Sequence, residues 1–93
     1  MIEDYQKAIS LDTLYATKNN GNGVERQNSG IEILGGTATI YGSITLPVSP
    51  PTGMTAGATD FEGLDTFGFV PNYLYVTGTA TSVIVSSIEV EAV

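Results

Sequence analysis

Residues 31–46, Ile31-Glu-Ile-Leu-Gly-Gly-Thr-Ala-Thr-Ile-Tyr-Gly-Ser-Ile-Thr-Leu46, decide the fold class. Ile31 and Ile33 alternate around Glu32, and Gly35-Gly36 marks a turn. Ala38, Ile40, Ile44 and Leu46 then alternate with Thr and Ser. An apolar residue at every second position is the mark of a strand with one face in a core and the other in solvent. Gly42 falls in the core-facing phase, which predicts a bulge or a close backbone approach there.

The same period extends in both directions. Toward the C-terminus, Phe67 and Phe69 lead into a turn at Val70-Pro71-Asn72. Beyond it Leu74 and Val76 face one side of a strand, and Tyr73 and Tyr75 face the other. Gly78 punctuates, and Val83-Ile84-Val85 is a continuous apolar run. At Ser86-Ser87 the phase changes, so that Ile88, Val90 and Ala92 alternate with Ser87, Glu89 and Glu91. One extra residue turns every later side chain over, so this shift predicts a bulge. Toward the N-terminus, Ile2, Tyr5 and Ile9 fit a helical spacing, whereas Tyr5, Ile9, Leu11, Thr13 and Tyr15 fit one face of a strand. The Thr, Tyr and Ile content favours the strand. Residues 8–17 are therefore expected to be extended, with 2–7 an arm or a single turn.

Two stretches read as loops. Residues 18–30 hold the pairs Asn20-Gly21 and Asn22-Gly23, which favour the positive backbone angles of a hairpin tip. Residues 47–59 contain Pro47, Pro50, Pro51, Gly53 and Gly57 and cannot continue a sheet interior. They are expected to cross between sheets, with Val48 and Met54 as the large apolar residues available to dock on a partner. The tetrapeptide Gly-Thr-Ala-Thr occurs at 36–39 and at 78–81, read as a common way to begin a strand. The expected architecture is all-β: an antiparallel β-sandwich or small barrel of six to seven short strands, forming a single domain over residues 1–93.

Composition excludes more than it identifies. The 93 residues include no Cys, His or Trp, which removes disulfides, thiolate and imidazole metal ligands, and the commonest nucleophiles and bases. A net charge of −7 argues against nucleic acid, since phosphate binding needs clustered Lys and Arg. No apolar run approaches the ~20 residues of a membrane helix, and the acidic start Met1-Ile-Glu-Asp4 is unlike a secretory signal. Charged residues make up 14% of the chain against roughly 25% in an ordinary domain, so twelve Thr and seven Ser supply much of the polar surface. Little electrostatic protection against self-association remains.

Few residues qualify as sites. Asp60, Glu62 and Asp65, around Gly63, are the candidate metal ligands, but their spacing is that of a solvated acidic turn and no metal or other cofactor is expected. Glu32, Glu89 and Glu91 sit on strands, and a sandwich this small seldom encloses the cleft that a catalytic carboxylate pair requires. No enzymatic activity is expected. The glycine pairs lack the lysine and the strand-to-helix context of a phosphate loop. Tyr73 and Tyr75 share a face and are the candidates for stacking on sugar, or for a subunit contact.

Gly36-Thr-Ala-Thr-Ile-Tyr-Gly-Ser-Ile-Thr-Leu46 and Asn72-Tyr-Leu-Tyr-Val-Thr-Gly-Thr-Ala-Thr-Ser-Val-Ile-Val85 together resemble small all-β accessory proteins of tailed-phage virions, of the capsid-decoration and head-fibre type. The resemblance implies a non-enzymatic structural protein, made in the host cytoplasm and located in the virion. It would dock on the capsid or tail and associate with itself, a trimer being favoured. The alternative is a small carbohydrate-binding β-sandwich module. Residues 74–93 carry only two charges, Glu89 and Glu91. Exposed edge strands are usually defended by charge or proline, so these strands are either central in their sheets or covered by another chain. Tyr73, Tyr75, Ile84, Val48 and Met54 are the expected interface residues.

Overall fold

A computed structural model describes residues 6–17, 30–57, 71–86 and 89–93. These residues form eight strands and no helix: β1 Gln6–Ile9, β2 Leu14–Thr17, β3 Gly30–Leu34, β4 Ala38–Ser43, β5 Thr55–Ala56, β6 Tyr73–Gly78, β7 Ser82–Ser86 and β8 Val90–Ala92. A three-stranded sheet has the order β1-β7-β3, and a five-stranded sheet the order β5-β4-β6-β2-β8. All the pairings are antiparallel. The two sheets pack as a sandwich, as the alternation predicts.

The sandwich is built from bent strands that run through both sheets. Gly30 pairs with Ser86, and one step forward on β3 is one step back on β7 as far as Leu34 with Ser82. The same register resumes beyond the corner, from Ala38 with Gly78 to Ser43 with Tyr73. β3-β4 and β6-β7 are thus one antiparallel ribbon folded over at residues 35–37 and 79–81. β1 and β2 follow alongside it, β1 on β7 and β2 on β6. They turn the corner at residues 10–13, where Asp12 adopts a φ of 58° and its N–H donates to the Val76 carbonyl at 2.7 Å. Asp tolerates that left-handed conformation better than most residues. Corners of this kind let one set of strands serve both layers of a sandwich.

The repeated Gly-Thr-Ala-Thr lies at this corner. Thr79 N–H donates to the Thr37 carbonyl at 2.8 Å, the Ala80 N–H to the same carbonyl at 3.0 Å, and the Thr37 N–H to Thr79 Oγ1 at 3.3 Å. Gly36 and Gly78 have φ of 153° and 140°. A Cβ on Gly36 would stand 2.8 Å from the Thr79 carbonyl atoms and 2.9 Å from Ala80 Cα. A Cβ on Gly78 would stand against the Thr37 carbonyl oxygen and 2.8 Å from Ala38 Cα. The contacts correspond one to one. Each glycine thus faces the Thr-Ala backbone of the other tetrapeptide, so the repeat records one steric demand met twice.

Side chains of alternate residues fill the space between the sheets. Ile31, Val83, Val85 and Ile9 of the smaller sheet meet Ile40, Leu74, Val76, Tyr15 and Val90 of the larger, with Leu11 and Ile33 packed at the margin. Each fully buried Val, Leu or Ile contributes about 1.5–3 kcal/mol. Buried polar groups are satisfied: Thr17 Oγ1 donates to the Pro71 carbonyl and Ser43 Oγ to the Thr45 carbonyl. Lys7 points inward from the edge strand β1. Its Nζ donates to the Val90 carbonyl at 3.0 Å and stands 5.9 Å from the centroid of the Tyr15 ring. Tyr15 Oη in turn accepts from the Ser10 N–H at 2.9 Å.

Several expectations are corrected. The extended region already includes Gln6 and Lys7, expected in an arm or single turn, and over 6–17 it forms two strands in different sheets, since the chain changes direction at 10–13. The segment 18–29 lies outside the described residues. It does not join hairpin partners, since β2 and β3 belong to different sheets, and Gly30 already lies in β3. β3 and β4 are separated by the predicted Gly35-Gly36 turn, yet they do not pair with each other. β4 ends at Ser43, so Ile44 and Leu46 are not inward-facing but 54% and 57% exposed. No bulge occurs at Gly42, which pairs in register with Leu74 and with Thr55. The proline-rich segment does not cross between sheets. It returns to its own sheet as β5, pairing with Tyr41 and Gly42 of β4. The phase change after Ser86 is not a bulge within a strand: β7 ends in the smaller sheet and β8 lies in the larger. Ser87 and Ile88 lie outside the described residues, as do Phe67, Phe69 and Val70.

An aromatic face and an apolar tip as candidate functional site

Burial of Leu74 and Val76 turns Tyr73 and Tyr75 to the outer face of the larger sheet, as the alternation predicts. Pairing supplies their neighbours. Tyr75 lies between Tyr41 of β4 and Leu14 of β2, and Ala56 of β5 stands beyond Tyr41. Tyr73 lies between Ser43 and Ala16, with Glu91 of β8 beyond Ala16. Directly opposite residues have Cβ atoms about 4.5–5.5 Å apart. Three half-buried tyrosines are thus grouped with Leu14 and Ala16 on one sheet face. Tyrosine offers a broad apolar ring and a phenol hydroxyl, a combination suited to stacking and to wet, partly polar contacts.

At the end of β4 the chain leaves the sheet as an exposed tip. Ile44, Leu46 and Val48 are 54%, 57% and 101% exposed. Asn72 Nδ2 donates to the Ile44 carbonyl at 3.0 Å and so ties the base of the tip to the strand that carries Tyr73. Beyond Val48, a cis Pro50-Pro51 bond reverses the chain, and the Thr52 N–H donates to the Ser49 carbonyl at 2.9 Å. Met54 is half-buried, with its N–H donating to the Pro51 carbonyl at 3.0 Å. From Ile33 to Thr59 the sequence holds no charged residue. The described charges lie elsewhere: Lys7 on β1, Asp12 at the corner, Glu32 on β3, and Glu89 and Glu91 at β8.

The structure brings some of the expected interface residues together and separates others. Tyr73 and Tyr75 share a face, and Val48 and Met54 belong to the adjoining tip. Ile84 does not join them: it lies on the outer face of the smaller sheet, between Ala8 and Glu32. The low charge of residues 74–86 has a structural cause, since β6 and β7 are flanked on both sides within their sheets. Edge strands β1, β3 and β8 each carry a charge, Lys7, Glu32 and Glu91 respectively. Tyr41, Leu14 and Ala16 were not singled out from the sequence. The outward phase of Thr39 and Tyr41 marks Tyr41 as a surface aromatic, but its place beside Tyr75 depends on a pairing between distant strands. Glu32 is not brought to Glu89 or Glu91; it sits on the opposite sheet. Asp60, Glu62 and Asp65 lie outside the described residues. No described helix is long and apolar enough to cross a membrane. No family model, curated protein or solved structure matches the chain.

Proposed function

We propose that this chain is a non-enzymatic structural protein of a tailed-phage virion that docks on the capsid or tail and associates with copies of itself. The observation that carries the reading is the grouping of Tyr41, Tyr73 and Tyr75 on one sheet face beside the exposed apolar tip at Ile44, Leu46 and Val48. Exposed apolar residues gathered in one region mark interaction surfaces on small domains. The low overall charge and the resemblance of the strand sequences support the same conclusion. Mass spectrometry of purified particles from the encoding phage, with light scattering on the isolated chain, tests it. The expected result is a chain present at a fixed copy number per particle and multimeric in solution. Its absence from particles would overturn the reading. The grouping of three tyrosines on one sheet face also favours a second reading, a sugar-binding module. A chain that stays monomeric and binds glycan saturably would establish that one instead.

A further inference from the structure

We infer that Lys7 straps the first and last of the described strands together, so that β1 and β8 leave and rejoin the sandwich as one unit. The two belong to different sheets, β1 to the order β1-β7-β3 and β8 to the order β5-β4-β6-β2-β8, and no ladder between them joins them. Lys7 does. It lies opposite the buried Val85, and so on the core-facing side of β1 together with Ile9. Its Nζ reaches the other sheet, where it donates to the Val90 carbonyl at 3.0 Å and stands 5.9 Å from the centroid of the Tyr15 ring. Val90 is itself buried, opposite Thr17 of β2, the strand that also carries Tyr15. One ammonium thus holds the margins of both sheets.

This contact couples the two strands. A strand at the margin of a sheet can open locally, at less than the free energy of global unfolding. Two such openings are independent unless a contact that needs both strands in place joins them. The bond from Lys7 to Val90 is such a contact, because the departure of either strand carries away one partner. Hydrogen bonds donated by an ammonium are stronger than those between neutral groups, and a half-buried donor that loses its acceptor is costly. Coupling free energy is reciprocal, so whatever loosens β8 loosens β1, and whatever steadies one steadies the other. β3 supplies the contrast. It pairs with the other side of β7, and opposite Val85 it places the buried Ile31 where β1 places Lys7.

Native-state hydrogen exchange, followed by NMR in the wild type, Val90→Ala, Lys7→Met and the double variant, tests the strap. Val90→Ala removes a buried side chain from β8. It is expected to speed exchange of the β1 amides about tenfold or more, with a smaller effect at β3. In the Lys7→Met background the same replacement is expected to leave β1 exchange unchanged, because β1 then opens alone. Amides of β1 and β3 that respond alike, or β1 amides that do not respond, would overturn the strap. A response at β1 that persists without Lys7 would overturn it too. If Val90→Ala fails to fold, Ala92→Gly takes its place in every comparison, since that position is exposed and glycine weakens a strand.

Discussion

Replacing Gly78 by Ala strikes the corner where the ribbon changes sheets. Its φ of 140° is one that an L side chain rarely adopts, and the new methyl group would meet the Thr37 carbonyl and stand 2.8 Å from Ala38 Cα. Both obstacles are backbone, so neither can rotate away. Backbone strain of this kind costs about 1–3 kcal/mol. Movement of Thr37 would also weaken the hydrogen bonds that its carbonyl accepts from Thr79 and Ala80, each with a net worth of about 0.5–1.5 kcal/mol. The expected total is about 2–6 kcal/mol if both bonds are lost, a large share of the roughly 5–15 kcal/mol that holds a domain folded. A loss of about 3 kcal/mol lowers Tm by about 12–24 °C in a domain of this size. Gly36→Ala makes the corresponding contact, with the Thr79 carbonyl and Ala80 Cα, and is expected to behave alike. The two are expected to be non-additive when combined, because they act on the same pair of strands. Gly53→Ala supplies the control: Gly53 also has a positive φ, 83°, but a Cβ there meets nothing within 4 Å. Thermal and urea denaturation should therefore rank Gly36→Ala and Gly78→Ala well below Gly53→Ala. If all three lose the same stability, the close approach at the corner is not what requires glycine.

Other substitutions probe the remaining layers of the argument. Leu74→Ala empties a fully buried site between the sheets and is expected to cost about 2–5 kcal/mol by urea unfolding; a cost under 1 kcal/mol would show that the core does not close there. Tyr15→Phe keeps the ring but removes the acceptor of the Ser10 N–H, for an expected loss of about 1 kcal/mol. Lys7→Met retains the aliphatic length and loses both the bond to the Val90 carbonyl and the charge over Tyr15. A loss of about 1–2 kcal/mol is expected, and an unchanged melting curve would show that these contacts contribute nothing. Calcium and chelator are expected to leave Tm unchanged, because Asp60, Glu62 and Asp65 lack the spacing of a calcium loop. A calcium-dependent rise of several degrees would make them ligands.

Much of this architecture is legible in single strands. Leu74 and Val76 point inward and Tyr73 and Tyr75 outward because successive side chains in an extended chain alternate, whatever the rest of the molecule does. The same local rule placed Ala38 and Ile40 in the core and put Tyr73 and Tyr75 on a common surface, whereas the run Val83-Ile84-Val85 does not show which of its residues point inward. What the strand pattern does not carry is the sheet to which each strand belongs. Ile9, Leu11, Thr13 and Tyr15 keep one phase through the corner at residues 10–13, so the bend leaves no trace in the hydrophobic pattern. After Ser86 the phase does change, but a bulge and a passage to the other sheet produce the same change in sequence. Tyr41, Leu14 and Ala16 join Tyr73 and Tyr75 only through pairings between strands far apart in the chain. The meaning of Gly-Thr-Ala-Thr is likewise tertiary: each copy needs its glycine because the backbone of the other copy occupies the space that a side chain would fill. Alternation is decided between neighbouring residues, whereas register and sheet membership are decided by contacts between segments that the sequence keeps far apart.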